Sequence, residues 1–422
     1  MRKPHCRRTS LASLLLSLAG GISAQTVPVS DAAGLRAAID AAAPGQQIEL
    51  APGTYVITAN LSCDTAGTAL APIVVRAAQP RSVLIRFNTV EGFKVSAPHW
   101  RFEGLDIEGS CAVDSSCEHA FHIVGAADFT EIRNNLVRDF NAQIKSNGEL
   151  VGGMFVFPDD VLIEGNHFHD TRARNTGNPV TKIDVVGGRR WVVRSNRIED
   201  FQKNGGDTVS YAAFLKGNSR DGLFERNLVV CERRFSGGVR LGLSFGGGGT
   251  GPDSICEEGS CTPEHQNGIM RNNLILDCPQ DVGIYLNAAA NSRIQHNTLY
   301  NTTGIDVRFA ASSADVRNNL LAGQIRNRDG GTSSGAGNLV QVTNASFTSW
   351  FQAPASADFR LRAGGAFVDL GVAAPLVIAD YCANLRDDGA PDIGAVEYDG
   401  DAVCDTRVAG GDPGSVFDNG FE

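Results

Sequence analysis

The sequence predicts an all-β protein folded as a right-handed parallel β-helix, a solenoid preceded by a short N-terminal capping helix. Three observations predict this fold: a recurring Asn motif, short segments in which apolar and polar residues alternate, and a composition rich in turn formers. Alternation indicates strands because successive side chains of a strand point to opposite faces. With 48 Gly and only 3 Met, the composition fits many turns and short strands better than a helical bundle.

The Asn motif is an apolar residue, two variable residues, Asn, one variable residue and a second apolar residue, as in Phe224–Val229. It recurs with spacings of 31, 30, 31, 46, 24 and 22 residues at Asn135, Asn166, Asn196, Asn227, Asn273, Asn297 and Asn319. A unit of about 20 to 30 residues without a helical pattern indicates a solenoid. The spacing of 46 leaves room for one further turn plus an insertion.

The repeated Asn has a structural and a functional interpretation. The structural one places it in a tight bend, where it tolerates unusual dihedral angles and hydrogen-bonds to the Asn above and below. The functional one makes it a row of ligand-binding amides. We favour the structural interpretation, because the residue recurs on every turn.

Stacked turns place their strands in parallel, and parallel crossovers are right-handed in nearly all proteins. In one such strand Ile305, Val307 and Phe309 alternate with Asp306 and Arg308. We expect the apolar set to face the core and the polar set to face outward.

The N-terminal segment Met1–Ala24 is predicted to be a secretory signal. It has a basic start, an apolar stretch at Leu11–Ala19 and small residues at its end. The apolar stretch is too short to span a membrane. We therefore expect a secreted or periplasmic protein without a membrane span.

The rest of the chain is predicted to form one β-helix domain at 25–398, with a cap at about 25–57, regular coils at about 93–323 and closing turns to 398. A Gly- and Asp-rich tail follows at 399–422. Within the cap, Ser30–Ala42 is predicted to be an amphipathic helix capped by Ser30. Its apolar face comprises Leu35, Ala38 and Ile39.

Export to an oxidising compartment predicts disulfides. Cys111–Cys117 and Cys256–Cys261 are natural local loops, whereas Cys231–Cys278 and Cys382–Cys404 stay open on sequence alone. Cys6 lies in the signal segment, so nine of the 10 cysteines would remain after its removal. Because nine is an odd number, one cysteine is expected to be unpaired, and Cys63 is the candidate.

The net charge of -10 argues against nucleic acid as a partner, because binding to phosphate backbones needs clustered Lys and Arg. We expect a monomer.

Aligning the turns on the Asn motif predicts a polar strip on the outer face of one sheet. Its members are His122, Lys182, Asp184, Lys216, Arg240, Tyr285, Asn287, Asp306 and Arg308. Arg240 is assigned to the further turn, with Val239, Leu241 and Leu243 facing inward. Neighbouring strands lie about 4.8 Å apart, so Lys216 and Arg240 are expected side by side. A slip of one residue would invert the face.

Four long loops border the strands of this strip and are expected to form the walls of a groove. They are Phe140–Phe157, Thr171–Thr181, Gln202–Ala212 and Gly246–Gly268. Glu264 and His265 in the last of them are expected in solvent.

The strip suits an anionic sugar polymer, because Lys and Arg pair with uronate carboxylates and Tyr stacks or donates. The expected substrate-binding residues are Asp184, Tyr285, Asn287, Arg308 and His122. In a β-elimination a base removes the proton next to a carboxylate while a cation stabilises the developing enolate. A lysine whose pKa falls beside an arginine in a groove suits the role of base.

Val29–Ile57 and the Asn-ended coils resemble secreted β-helix proteins of the pectin-lyase-like superfamily, and most of all the chondroitinase B and alginate lyase family. The segment Asp388–Glu397 is similar to the closing motif of many such proteins. In that family a Lys acts as base and an Arg on the next turn assists. The resemblance assigns these roles to Lys216 in Leu215–Ser219 and to Arg240 in Gly238–Leu241.

The family also carries acidic calcium ligands shortly before the Lys, in a GExE-like run. This chain has Gly206–Tyr211 (GDTVSY) there, which retains only Asp207. We therefore expect no cofactor, with Asp207 as the ligand if calcium is used.

Three hypotheses follow, of which a polysaccharide lyase acting on an acidic glycan is favoured. A glycoside hydrolase of the polygalacturonase type needs clustered carboxylates, whereas Asp184, Asp207, Asp281 and Asp306 are scattered. A non-catalytic glycan-binding or surface protein is the third, because a fold does not determine a function.

Overall fold

Three long parallel sheets run the length of the molecule and confirm the predicted right-handed parallel β-helix. The structure is a computed structural model that describes residues 25–362, 365–374, 376–387, 389–398 and 405–409. The predicted signal segment and most of the predicted tail lie outside these ranges. Each turn contributes one strand to each sheet, so the sheets are the three walls of the coil.

The twelve-stranded sheet contains Gln25–Val29, Gln46–Leu50, Ile73–Ala77, Trp100–Glu103, Glu131–Arg133, Leu162–Glu164, Val192–Arg194, Leu223–Glu225, Ile269–Arg271, Ser292–Gln295, Ser313–Arg317 and Thr332–Ser334. One ten-stranded sheet, here called the groove sheet, contains Leu61–Cys63, Glu91–Val95, His119–Val124, Ala142–Asn147, Val180–Val186, Val209–Lys216, Val239–Phe245, Ile284–Asn287, Gly304–Arg308 and Gln324–Arg328. The third sheet contains Gly53–Ile57, Val83–Phe87, Asp106–Gly109, Leu136–Arg138, His167–His169, Arg197–Glu199, Leu228–Val230, Leu274–Cys278, Thr298–Thr302 and Leu320–Leu321.

Shorter elements decorate the coil. Three small sheets comprise Glu149–Val151 with Met154–Val156, Ser219–Arg220 with His265–Gln266 and Ala289–Ala290, and Phe351–Ala353 with Asp358–Leu361. The α-helices are Ala32–Asp40 and Asn344–Trp350, and the 3-10 helices are Asp114–Ser116, Asp253–Ile255, Glu257–Gly259 and Pro354–Ser356. Among the described residues, no helix has the length and apolar character that a membrane crossing requires.

The repeated Asn forms a buried ladder at the corner between the twelve-stranded sheet and the third sheet. In a typical rung, the side-chain oxygen of Asn196 accepts from the backbone and the side-chain nitrogens of Asn166, both at 3.0 Å. The ladder runs from Asn135 to Asn338, which adds a rung that the motif did not predict. The structural interpretation is confirmed in its hydrogen bonds, but the left-handed backbone falls on the preceding residue, as in Ser195 (φ 53).

The spacing of 46 holds a single turn with a long insertion, not a further turn. Asn227 bonds directly to Asn273, and Phe224 lies in register with Met270. The insertion after Phe245 therefore leaves the groove sheet and returns to the same coil.

The first helix begins at Ala32 rather than at Ser30, because Asp31 is the cap: its carboxylate accepts from the amide of Gly34 at 2.7 Å. The predicted apolar face is buried, with Leu35, Ala38 and Ile39 in the core. Phe309 departs from the predicted alternation: it has a φ of 71° and is 37% exposed.

Three disulfides close on the predicted pairs Cys111–Cys117, Cys256–Cys261 and Cys231–Cys278. Cys63 is a buried free cysteine, as expected. The pairing Cys382–Cys404 involves a residue outside the described ranges.

Candidate active site

A groove of about 510 Å³ lies on the outer face of the groove sheet. Its lining residues are Pro179, Val180, Thr181, Lys203, Asp207, Val209, Tyr211, Phe214, Lys216, Gly248, Gly249, Tyr285, Asn287, Arg308 and Phe309. Three of the four predicted wall loops contribute to this lining. The remaining loop, Phe140–Phe157, contains the hairpin of Glu149–Val151 and Met154–Val156 and does not line the groove.

Lys216 is the last residue of its strand and projects into the groove. Its ammonium lies 4.5 Å from the centre of the Phe214 ring. Burial lowers the pKa of Lys216, because a partly dry site disfavours the ammonium, and the carboxylate of Asp184 partly offsets this effect. In the described part of the chain, no carboxylate lies within ion-pair distance of Lys216. The side chain is therefore placed as an available amine.

The insertion holds this part of the strand in place. Buried Glu264 accepts from the amide of Gly217 at 2.9 Å and from the hydroxyl of Thr250 at 2.7 Å. Buried His265 bonds to the hydroxyl of Ser219 at 2.7 Å. The expectation that Glu264 and His265 lie in solvent is wrong, because the insertion folds back onto the coil and covers them.

Asp184 lies on the neighbouring strand, in register with Phe214, and is buried. Its carboxylate accepts from the ammonium of Lys145 at 2.8 Å. Burial alone would raise the pKa of Asp184, but the ammoniums of Lys145 and Lys216 outweigh it and lower that pKa. Asp184 therefore stays ionised and acts on Lys216 as a fixed negative charge.

Tyr285, Asn287 and Arg308 form one hydrogen-bonded group on the opposite side of the groove. The guanidinium of Arg308 donates to the hydroxyl of Tyr285 at 3.3 Å and to Asp329 at 2.5 Å. The amide of Asn287 donates to the same hydroxyl at 3.4 Å. The structure brings all three predicted residues into the groove with Lys216.

Arg240 does not face the groove, contrary to the prediction. Its side chain is 1% exposed, and its guanidinium donates to the carbonyl groups of Gly237, Cys231 and Phe235 and to the side chain of Gln202. It fills the space between its own strand and the preceding loop, where it satisfies buried carbonyl groups. Its position beside Lys216 was predicted from strict alternation, which fails in this strand.

The alternation of inward and outward side chains breaks down at Gly242 in the strand that carries Arg240. Leu241 packs on the groove face with Tyr211 and Tyr285, while Leu243 packs in the core, so the strand changes face across Gly242. A side chain at Gly242 would lie 2.2 Å from the carbonyl oxygen of Gly283, which shows how closely the backbones approach there. In this strand, the residues before Gly242 therefore lie on the opposite face of the sheet from the one predicted.

The same switch occurs in the two preceding turns. Lys182 is fully buried, and its ammonium donates to Asp170 at 2.6 Å and to the carbonyl of Phe140 at 2.8 Å. It therefore does not lie on the strip. Tyr211, which sequence reasoning missed, lies on the groove face, because Ala212 and Ala213 both turn inward. Two consecutive small apolar residues are the signal that could have located the switch.

His122 and Asp306 lie on the outer face but outside the groove lining. His122 is held between Glu91 and Asn147, both at 2.8 Å. Asp306 is 1% exposed and accepts from Arg326 and Arg328, both at 2.6 Å. These contacts explain both residues structurally.

Asp207 lines the groove, but its carboxylate is bound by the ammonium of Lys203 and the amide of Val209. Across the described ranges, no group of three or more His, Cys, Asp or Glu side chains is placed to hold a metal ion. A calcium site needs several oxygen ligands, and the donors around Asp207 do not fit one.

No family model matches this chain, and no curated protein matches it. Its structure is similar to that of a pectate lyase, with 15% identity, a TM-score of 0.59, and 86% of this chain and 90% of the other covered. It also matches an alginate lyase from a Paenibacillus species, with 16% identity, a TM-score of 0.45, and 75% and 95% of the two chains covered. A rhamnogalacturonan lyase matches with 14% identity, a TM-score of 0.48, and coverage of 76% and 86%. The similarity to the pectate lyase shows that the two chains share the parallel β-helix fold.

Proposed function

We propose that this protein is a secreted polysaccharide lyase that cleaves an acidic, uronate-containing glycan by β-elimination. The observation that carries the proposal is Lys216, a partly buried amine with a lowered pKa and no carboxylate partner among the described residues, in a groove that also holds Arg308. Perturbed titratable groups in clefts are typical of catalytic sites. The pectate lyase of the same fold is a precedent for this chemistry on a β-helix.

Lys216 is the base. Its neutral amine removes the proton from the sugar carbon next to the carboxylate, and the electron pair left behind forms a carbon–carbon double bond. The bond from the next ring carbon to the glycosidic oxygen breaks, and that oxygen leaves with the second sugar. A lowered pKa raises the fraction of neutral amine near neutral pH.

In this proposal Arg308 takes the supporting role that the family resemblance assigned to Arg240. A guanidinium has five donors, and Arg308 uses two in its bonds to Asp329 and Tyr285, which leaves others for a substrate carboxylate. Three strand spacings separate the backbones of Lys216 and Arg308 in the sheet, about 14 Å at 4.8 Å each. Both side chains are long enough to reach a sugar lying between them.

Export is part of the proposal. Three disulfides are in place in the described residues, and disulfides persist in oxidising compartments. The apolar segment Leu11–Ala19 supplies the sequence argument.

The test is ultraviolet absorbance of unsaturated uronates, with the purified protein on alginate, pectate, chondroitin and related acidic glycans. Lys216→Ala is expected to lose about 10²- to 10⁴-fold of the rate on the cleaved polymer, the usual contribution of a positioned base. Lys94→Ala is the matched control, because Lys94 lies on the same sheet face but outside the groove and pairs with Glu149 at 3.3 Å.

The outcomes separate the three hypotheses. New absorbance that disappears in Lys216→Ala and persists in Lys94→Ala supports a lyase with this base. Reducing ends without absorbance support a glycoside hydrolase. Binding without either product leaves a glycan-binding protein and contradicts the proposal.

A further inference from the structure

We propose that Tyr285 is the general acid of this site, donating its phenolic proton to the glycosidic oxygen as that oxygen leaves. The inference rests on the proposed lyase function and adds a catalytic role to a residue that the sequence assigned to substrate binding. It follows from the direction of the hydrogen bonds around the phenol.

Both neighbours of the Tyr285 hydroxyl are donors. The guanidinium of Arg308, at 3.3 Å, has no acceptor atom to offer. The amide nitrogen of Asn287 lies at 3.4 Å and also donates to the carbonyl of Gly247 at 2.5 Å. Since a carbonyl can only accept, this second bond orients the amide so that its nitrogen, not its oxygen, faces Tyr285. The phenolic proton therefore has no acceptor in this group and is available to a ligand in the groove.

The same two donors favour loss of the proton. As the proton moves to the glycosidic oxygen, the phenolate that forms is stabilised by the hydrogen bonds from Arg308 and Asn287. Burial raises the pKa of Tyr285, and the bond from Arg308 opposes that rise. The phenol thus stays protonated until the glycosidic bond breaks and the leaving oxygen accepts the proton.

Gly247 lies next to Lys216 and is joined to the phenol of Tyr285 through the side chain of Asn287. Gly247 holds Asn287 through its carbonyl, and a side chain at Gly247 would lie 3.4 Å from the nitrogen of Lys216. Lys216 therefore lies next to Gly247, Tyr285 lies next to the Asn287 side chain that Gly247 holds, and base and acid line one groove. The step balances: the amine gains the proton of the carbon, the oxygen gains the proton of the phenol, and proton transfer through water restores both groups.

Tyr211 is a matched control within the same groove. It lies next to Phe214, with the ring centres 5.3 Å apart, and its hydroxyl has no hydrogen-bond partner among the described residues. Its phenolate would lack the two donors that Tyr285 has.

The experiment uses the panel polymer that the wild-type protein cleaves, in heavy water. Absorbance follows elimination, and nuclear magnetic resonance follows deuterium exchange at the carbon next to the carboxylate. Tyr285→Phe is expected to lose about 10²- to 10⁴-fold in elimination and to keep exchange within about tenfold, because the base is intact. Tyr211→Phe should keep elimination within about tenfold, and Lys216→Ala should lose both signals.

Loss of both signals in Tyr285→Phe, with the circular dichroism spectrum of the wild type, would overturn the acid role in favour of a positioning role. Elimination by Tyr285→Phe at the rate of the wild type would overturn it outright. A wild-type protein that produces no unsaturated product on the panel would overturn the proposed function itself, a result distinct from these two.

Discussion

Replacing Asn196 with Ala should destabilise the coil far more than the same change at the end of the Asn ladder. Asn196 is fully buried, and its side-chain nitrogen donates to the carbonyl of Ile163 at 2.9 Å. Its side-chain oxygen accepts the backbone amide of Asn166 at 3.0 Å. Alanine would leave the amide of Asn166 buried without its partner and would remove the side-chain bond to the carbonyl of Ile163.

The magnitude follows from one orphaned amide and one lost hydrogen bond. A buried donor without a partner costs about 1–3 kcal/mol and a lost hydrogen bond about 0.5–1.5 kcal/mol, so the loss for Asn196→Ala is roughly 2–4 kcal/mol. Asn338 is the matched control, because it ends the ladder and is only partly buried. There water can replace the lost partners, and the cost should be about 1 kcal/mol.

Two measurements check this prediction. Urea unfolding followed by far-ultraviolet circular dichroism gives the loss in unfolding free energy for each variant. Hydrogen exchange by mass spectrometry reports on the amide of Asn166, which should exchange faster in Asn196→Ala than in the wild type. Equal losses for Asn196→Ala and Asn338→Ala, with the Asn166 amide still protected, would refute the role of the ladder.

Three further predictions concern the groove and its support. Asp184→Asn removes the negative charge that raises the pKa of Lys216, so that pKa should fall further. The acidic limb of the pH profile of kcat/KM should then move to lower pH. An acidic limb that stays in place or moves to higher pH would contradict this. Arg240→Ala should lower the urea midpoint, because it leaves buried carbonyl groups unpaired, and the folded variant should keep the KM of the wild type. A raised KM in stably folded protein would show that Arg240 contributes to substrate binding. The Cys231–Cys278 disulfide spans 47 residues, so its reduction should lower the unfolding free energy by about 4 kcal/mol through chain entropy. A Cys231→Ser variant with an unchanged urea midpoint would contradict this and would show that the coil alone holds these turns together.

The local chemistry of the sequence determined much of the fold. The period of the Asn motif specified the coil, because each Asn must meet the Asn of the next turn for its hydrogen bonds to close. Cys111 and Cys117 lie too close in the chain to need a tertiary argument for pairing. Lys216 was assigned to the groove face correctly, because it follows the face switch of its strand, where alternation holds.

Tertiary structure decided what alternation could not. The strands change face at Lys182, Ala212 and Gly242, so Arg240 turned away from the groove and Tyr211 turned into it. The switch depends on how closely neighbouring backbones approach, which is a property of the stacked turns and not of any single strand.

The direction of hydrogen bonds at Tyr285 also required the assembled coil. Its two donors come from residues 287 and 308, and the amide of Asn287 is oriented by Gly247 in the insertion. The sequence placed polar residues on one face, because period two is a local rule. The segments that contain Gly247, Tyr285 with Asn287, and Arg308 meet only when the coil is assembled. Their meeting decides which polar side chains contact one another and which proton remains available to a ligand.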